Sequence, residues 1–171
     1  MKTVAESITS IIYPQAVEKG LLFTVPLIEL TETVMIGDAM RLNQILLNLL
    51  SNSLKFTPKG GTIRLEIRQI QRKRSRVRLG FTVCDTGYGM SREFMKRLFT
   101  PFEQESVAAG QKFGGTGLGM AITRNLVMLM GGTISVKSEL GKGTAFSVEL
   151  DFDIPESSDT RRNKSRLPWS H

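Results

Sequence analysis

Residues 39–54 constrain the fold more than any other part of the sequence. Asp38 is a suitable N-cap, and residues 57–61 (TPKGG) are a stop signal, so a helix is predicted between them. Its apolar residues are Leu42, Ile45, Leu46, Leu47, Leu49, Leu50 and Leu54. Its polar side chains form one narrow stripe of Arg41, Gln44, Asn48, Asn52 and Lys55. Since both flanks are apolar, we expect the stripe to face a cavity, with a solvated outer face as the alternative.

The chemistry of this stripe is suited to a metal ion and phosphate. Amide oxygens such as those of Asn48 and Asn52 can bind a hard cation such as Mg²⁺. Lys55 lies one turn further along the helix and can contact phosphate oxygens. The stripe therefore predicts an anionic, metal-associated ligand.

A second motif, DTGYG at residues 85–89, follows a strand predicted at residues 76–84. Asp85 emerges at the end of this strand, where ligands of α/β layers often bind, and its carboxylate can accept from an exocyclic amine. Gly87 and Gly89 lack a Cβ atom and would let the backbone approach a flat ring. An ordinary Asx-type turn is the alternative.

A third motif, GGTGLG at residues 114–119, opens a helix predicted at residues 117–130. The start of a helix offers free N–H groups and a positive dipole end to phosphate. The spacing matches neither the P-loop nor the dinucleotide fingerprint, and a flexible hinge is the alternative. The preceding residues 100–115 show no periodicity, so we expect a long mobile loop. Phe99 and Phe102, near its start, would anchor a lid, which is the interpretation we favour, or pack in the core.

The remaining elements complete an alternating pattern of helices and strands. A helix is predicted at residues 3–13, ended by Pro14, and a short helix capped by Ser91 runs to Leu98. Further strands are predicted at residues 21–25, 62–70, 133–138 and 144–151. Residues 155–171 have the composition of a disordered linker.

The charge of the chain is concentrated in one place. Of the net charge of +7, residues 64–78 contribute seven basic side chains against Glu66 alone. This cluster could bind nucleic acid, but it lacks interleaved aromatic residues and joins two strands, which favours the solvated tip of a hairpin. With 40% hydrophobic residues the chain of 171 residues is predicted to be a single globular domain. Its one cysteine, Cys84, favours a reducing compartment, and we expect the cytoplasm, with an inner-membrane anchor of the parent protein left open.

Five segments, taken together, resemble the conserved boxes of sensor histidine kinases. In order they are NQILLNLLSNSLKFTP (43–58), DTGYG (85–89), FTPFEQ (99–104), GTGLGM (115–120) and GKGTAF (141–146). The resemblance is to the catalytic ATP-binding domain of the GHKL superfamily, in a hybrid two-component sensor. It implies an α+β fold, a two-layer α/β sandwich with a mixed sheet of about five strands on three helices, and a loop that closes over ATP.

The resemblance also assigns roles to individual residues. Asn48 resembles the family's Mg²⁺ ligand and, with Lys55, is predicted to be catalytic; Asn52 and Lys55 resemble the groups that contact phosphate. Asp85 resembles the carboxylate that reads the adenine amine. The other residues predicted to contact the nucleotide are Phe56, Gly87, Gly89, Phe102, Gly115, Thr116, Gly117, Leu118, Gly119 and Thr144.

The function implied is transfer of the ATP γ-phosphate to a histidine on a separate dimerisation domain, with a response regulator or receiver domain as an indirect partner. Related ATPases have a glutamate where this chain has Asn48, whose amide is a poor base, so a kinase is favoured over a hydrolase. The only histidine, His171, lacks a helical context. We therefore expect residues 1–20 to be a linker from the phosphoacceptor domain, residues 21–154 a catalytic domain that is monomeric alone, and residues 155–171 a tail.

Two alternatives remain from other classes of protein. One is a non-catalytic nucleotide-sensing module that has kept the cleft, against which the intact Asn48 and Asp85 argue. The other is a nucleic-acid-binding protein that uses residues 64–78, which we do not favour.

Overall fold

The computed structural model of the chain describes residues 2–31, 35–99, 106–107, 111–112 and 119–155. In chain order the elements are α1 (Lys2–Lys19), β1 (Leu22–Thr24), β2 (Leu27–Ile28), α2 (Ala39–Phe56), β3 (Thr62–Arg72), β4 (Arg76–Asp85), α3 (Arg92–Arg97), β5 (Ser106–Val107), β6 (Gln111–Lys112), α4 (Gly119–Leu129), β7 (Thr133–Glu139) and β8 (Gly143–Asp153).

The main sheet has the strand order β1-β3-β4-β8-β7, and the short strand β2 also pairs with β3. β1 and β2 run parallel to β3, whereas β3, β4, β8 and β7 are joined by antiparallel pairs, so the sheet is mixed. The register places Asp85, the last residue of β4, between Ile63 of β3 and Thr144 of β8. The end of β4 and the start of β8 therefore meet in the middle of the sheet.

One face of the sheet is apolar and carries the helices. On β4, Val77, Leu79, Phe81 and Val83 are buried and alternate with more exposed residues. Helix α2 supplies the other side of the core through the buried residues Leu42, Ile45, Leu46, Leu49, Leu50 and Leu54. The predicted α+β class and two-layer sandwich are confirmed. Among the described residues the sheet has six strands rather than about five, because β2 is too short to show alternation in the sequence.

Helix α1 corrects the prediction for the N-terminal segment. It does not end at Pro14 but continues through it to Lys19. Ala5, Ile8, Ile12 and Ala16 are buried at helical spacing in the same core as α2, and this burial outweighs the cost of about 3 kcal/mol expected for an internal proline. Gly20, at φ +73°, ends the helix instead, because Leu21 and Gly20 donate back to the carbonyls of Ala16 and Val17.

The basic cluster forms the hairpin predicted for it. β3 and β4 are each longer than predicted and pair antiparallel. Arg68 lies 2.9 Å from Glu66, and Arg78 lies 3.2 Å from Glu149 on β8. These carboxylates neutralise part of the cluster, which supports the hairpin interpretation over a nucleic-acid site.

The other predicted elements agree with the structure apart from their ends, with one further correction. Within residues 100–115, predicted to have no regular structure, β5 and β6 pair antiparallel. They are too short for alternation to reveal them. The rest of that segment, and residues 156–171 of the predicted tail, lie outside the described residues. In the part of the chain that is described, every helix is too short or too polar to cross a membrane.

Candidate functional site

Asp85 is the best-defined polar group at the end of β4. Its Oδ1 accepts from the backbone N–H of Gly87 at 2.9 Å, and its Oδ2 accepts from the hydroxyl of Ser53 on α2 at 2.8 Å. Burial raises the pKa of Asp85, and the hydrogen bonds from Gly87, Ser53 and the backbone of Thr144 oppose that rise. The carboxyl group is therefore fixed in orientation while its side chain is only half-buried.

Gly87 and Gly89 of the DTGYG motif lie against backbone of other elements, a contact that the sequence did not indicate. Tyr88 donates its backbone N–H to the carbonyl of Phe56 at 3.1 Å. A Cβ atom on Gly87 would lie 2.3 Å from that same carbonyl oxygen, and one on Gly89 would lie 2.0 Å from the carbonyl oxygen of Glu139. Both glycines thus allow backbone to pack against backbone, whatever they offer a ligand.

Thr144 lies directly beside Asp85 in the antiparallel pair of β4 and β8. Its Oγ1 is 2.8 Å from Oγ of Ser138 on β7. Ser138 in turn donates to the carbonyl of Gly143 and accepts from the backbone N–H of Met90. The start of β8 is therefore tied both to β7 and to the segment that follows the DTGYG motif.

Asn48 lies on α2 on the side that faces α4. Its Nδ2 donates to Oγ1 of Thr123 at 3.2 Å, and the Thr123 hydroxyl donates to the carbonyl of Gly119 at 2.7 Å. Thr123 is completely buried and Asn48 is half-buried. Asn48 and Ser53 are five residues apart, roughly 7.5 Å along the helix axis and roughly 140° around it, so α2 presents one polar group to α4 and the other to the sheet.

The polar stripe of α2 is only partly as predicted. Arg41 and Gln44 are exposed, and Arg41 pairs at 3.3 Å with the N-cap Asp38. Asn48 and Asn52 are half-buried, whereas Lys55 is exposed at the end of the helix. The prediction of a stripe facing a cavity is therefore wrong for Arg41 and Gln44, which are exposed to solvent.

The described residues also limit how a metal ion could be held. Within the ranges described, no three His, Cys, Asp or Glu side chains cluster as a metal site. Mg²⁺ often keeps several waters and binds through one or two protein groups plus substrate phosphates. The half-buried Asn48, whose Nδ2 is engaged by Thr123, has Oδ1 left to act as one such ligand, so the residues present fit the ion.

Several predicted residues cannot be placed. Phe102, Gly115, Thr116, Gly117 and Leu118 lie outside the described residues, while Gly119 is exposed at the start of α4. Phe99 is partly buried against the core, with the guanidinium of Arg124 5.9 Å from its ring centroid. This position favours core packing over the alternative of a lid anchor for Phe99.

Sequence reasoning missed two residues that shape the site, Ser53 and Thr123. Both are polar side chains buried on apolar helix faces, at 1% and 0% exposure. A lone serine or threonine at a core position of a helix is the signal that could have revealed them, because a buried hydroxyl requires a partner.

Comparison with known proteins places this geometry in a family. Residues 37–154 match the family described as "Histidine kinase-, DNA gyrase B-, and HSP90-like ATPase". The chain belongs to this family. It is 38% identical over 136 residues to hybrid signal transduction histidine kinase A of Dictyostelium discoideum, which covers 76% of this chain and 6% of that protein. It is 39% identical over 136 residues to the circadian input-output histidine kinase CikA of Synechococcus elongatus, covering 79% of this chain and 17% of CikA.

Solved structures agree with this assignment. The structure of full-length ShkA in complex with AMPPNP matches with a TM-score of 0.73 and 33% identity, covering 90% of this chain and 30% of ShkA. The nucleotide-free catalytic domain of histidine kinase ThkA matches with a TM-score of 0.69 at 21% identity, covering 88% of this chain and 92% of that one, and shows the shared fold. This histidine-kinase-type ATPase domain thus spans a small part of the length of its curated relatives.

Proposed function

We propose that this domain binds Mg²⁺-ATP and donates the γ-phosphate to a histidine on a separate dimerisation domain of its parent protein. The observation that carries the proposal is the fixed carboxylate of Asp85, held by Ser53 and Gly87 and joined through α2 to the amide of Asn48. The carboxylate of Asp85 suits a nucleobase with an exocyclic amine, and the amide of Asn48 suits a centre of metal ion and phosphate.

The Asp85 end of the site discriminates between bases. A carboxylate accepts hydrogen bonds, so it attracts the exocyclic amine of adenine and repels the carbonyl oxygen at the corresponding position of guanine. Because Ser53 and Gly87 already fix the carboxylate, its side chain loses little conformational freedom when adenine binds. Thr144, its cross-strand neighbour, offers a hydroxyl at the same place.

The Asn48 end handles the phosphates. Asn48 would hold Mg²⁺ through Oδ1, and Asn52 and Lys55, further along α2, would contact phosphate oxygens. When bound, the metal ion neutralises charge on the transferring phosphoryl group. Asn48 has no ionisable group to activate water, so the chain's own contribution is positioning, which suits transfer to a protein acceptor rather than hydrolysis.

The proposed partners are the phosphoacceptor domain, directly, and a response regulator or receiver domain, indirectly. Because ATP is supplied in the cytoplasm, the cytoplasm is the proposed location of this domain. The test incubates radiolabelled ATP with the chain alone, with His171→Ala, and with an added fragment that bears the parent's dimerising helices. We expect acid-labile label on the added fragment only.

The same experiment contains the outcomes that contradict the proposal. Label on the chain alone that is lost in His171→Ala would show that the acceptor lies in this chain. Tight ATP binding with no label on the fragment would favour a non-catalytic nucleotide-sensing module instead.

A further inference from the structure

Thr123 is the middle member of a short chain of hydrogen bonds that runs from Gly119 on α4 to Asn48 on α2. Its hydroxyl lies 2.7 Å from the carbonyl of Gly119, one turn earlier on α4, and 3.2 Å from Nδ2 of Asn48 on α2. Its side chain is completely buried. Because water cannot replace the hydrogen-bond partners of a buried hydroxyl, Thr123 restricts the orientation of the groups that bond to it.

The number of hydrogens determines the direction of both bonds. A threonine hydroxyl has one hydrogen, and the carbonyl of Gly119 can only accept, so that hydrogen points to Gly119. Oγ1 can then only accept from Asn48, which must present its NH₂ group. If the amide were turned over, two oxygen acceptors would face each other at about 3 Å without a hydrogen between them, at the cost of a buried hydrogen bond.

We infer that Thr123 is a positioning residue that holds Asn48 in the one amide orientation able to bind Mg²⁺. With Nδ2 engaged by Thr123, Oδ1 is directed away from Thr123 and is available as an oxygen ligand. This inference rests on the proposed function, since it gives Oδ1 of Asn48 to the metal ion. It adds a residue from α4 to a metal site otherwise built on α2.

The same contact connects the metal ligand to the start of α4. Gly119, whose carbonyl receives the Thr123 hydrogen, is the first residue of that helix and the end of the glycine-rich motif. Thr123 therefore orients Asn48 from a helix whose first turn it also stabilises. A change in the first turn of α4 would alter the acceptor available to Asn48.

The test measures ATP affinity by calorimetry with Mg²⁺ and, separately, with EDTA. Thr123→Val keeps the shape of the side chain and removes the hydroxyl, so the gain in affinity that Mg²⁺ gives should fall about three- to tenfold, while affinity in EDTA stays the same. Thr123→Ser, which restores the hydroxyl, should recover most of that gain. Thr9→Val is the matched control, because the Thr9 hydroxyl makes the same bond, at 2.7 Å, to the carbonyl of Ala5 on α1.

Each outcome has a defined meaning. If Thr123→Val retains the full effect of Mg²⁺, the inference is wrong while the proposed function stands. If the unmutated chain binds ATP equally with and without Mg²⁺, the metal role of Asn48 fails, and this inference fails with it.

Should Thr123→Val not fold, the unmutated chain still provides a test. NMR exchange of the Asn48 side-chain amide should show one hydrogen protected from solvent, both before and after Mg²⁺-ATP is added. Two hydrogens that exchange at the rate of an exposed amide would overturn the inference.

Discussion

Ser53 of α2 and Asp85 of β4 are joined by a hydrogen bond of 2.8 Å from the serine hydroxyl to Oδ2 of the carboxylate. The bond crosses between the two layers of the sandwich, since Ser53 belongs to the helix layer and Asp85 to the centre of the sheet. Ser53 is 1% exposed, so this carboxylate is the partner that satisfies its buried hydroxyl.

Ser53→Ala should weaken ATP binding by roughly three- to tenfold, because one of the hydrogen bonds that orient Asp85 is lost. The loss also removes a group that opposes the raised pKa of Asp85, so that pKa should rise further. Calorimetric titration at neutral pH measures the affinity. Ser51→Ala, two residues away on the exposed side of α2, is the matched control and should bind ATP like the unmutated chain.

The pH dependence of stability should reveal the raised pKa of Asp85. Because burial raises this pKa, the folded state holds the proton more tightly than the unfolded state. The free energy of unfolding that Asp85 contributes therefore falls as pH rises from the ordinary range of an aspartate through the folded-state pKa. Asp85→Asn removes the titration, so its free energy of unfolding minus that of the unmutated chain should increase across this range. A difference that does not change with pH would show that burial leaves the pKa of Asp85 unshifted.

Over the same pH range, ATP affinity of the unmutated chain should fall as the pH is lowered. Protonation of Asp85 removes its negative charge and turns one carboxyl oxygen into a donor, which leaves a weaker acceptor for the adenine amine. Titrations at a series of pH values test this expectation. If the affinity stays constant while Asp85 becomes protonated, the Asp85 carboxylate does not recognise the adenine base.

Gly89→Ala should destabilise the fold far more than Gly131→Ala. Both glycines have φ +72°, so both variants incur the penalty of about 1–2 kcal/mol for a left-handed conformation. Only at Gly89 does the new Cβ lie 2.0 Å from a backbone oxygen, whereas nothing lies within 4 Å of it at Gly131. Urea unfolding compares the two, and equal losses would mean that the close approach of the DTGYG motif to Glu139 is relaxed at little cost.

Lys19→Met should lower the free energy of unfolding by about 1–2 kcal/mol. The Lys19 ammonium donates to the carbonyls of Leu54 and Lys55, which end α2, so it completes the last turn that carries Lys55 and Phe56. Lys137→Met, at an exposed lysine of β7, is the control. If both variants unfold at the same urea concentration, Lys19 has no such capping role.

The elements that the sequence predicted well are those whose pattern is local. The N-cap Asp38 accepts from the backbone N–H of Arg41, and Ser91 likewise accepts from Phe94, as cap residues should. Apolar alternation located β4 because its buried side chains all face one layer. Asp85 could be identified for the same reason, since it ends a strand whose position was clear.

The features that the sequence did not predict depend on contacts between distant residues. Pro14 indicates the end of a helix in the sequence, but α1 continues beyond it because its apolar side, including Ala16, is buried in the core. Thr123 and Asn48 are 75 residues apart, so no local pattern indicates that they share a hydrogen bond. The exposure of Arg41 and Gln44 likewise depends on where α2 leaves the core, which helical spacing alone does not define.

The most direct test of the account is a pair of calorimetric titrations of the unmutated chain with ATP and with GTP, both in the presence of Mg²⁺. The carboxyl group of Asp85, anchored by Ser53 and Gly87, lies where the base is proposed to bind, so ATP should bind at least tenfold more tightly than GTP, a difference of about 1.4 kcal/mol. Asp85→Ala should abolish that difference. Equal affinity of the unmutated chain for ATP and GTP would contradict the account.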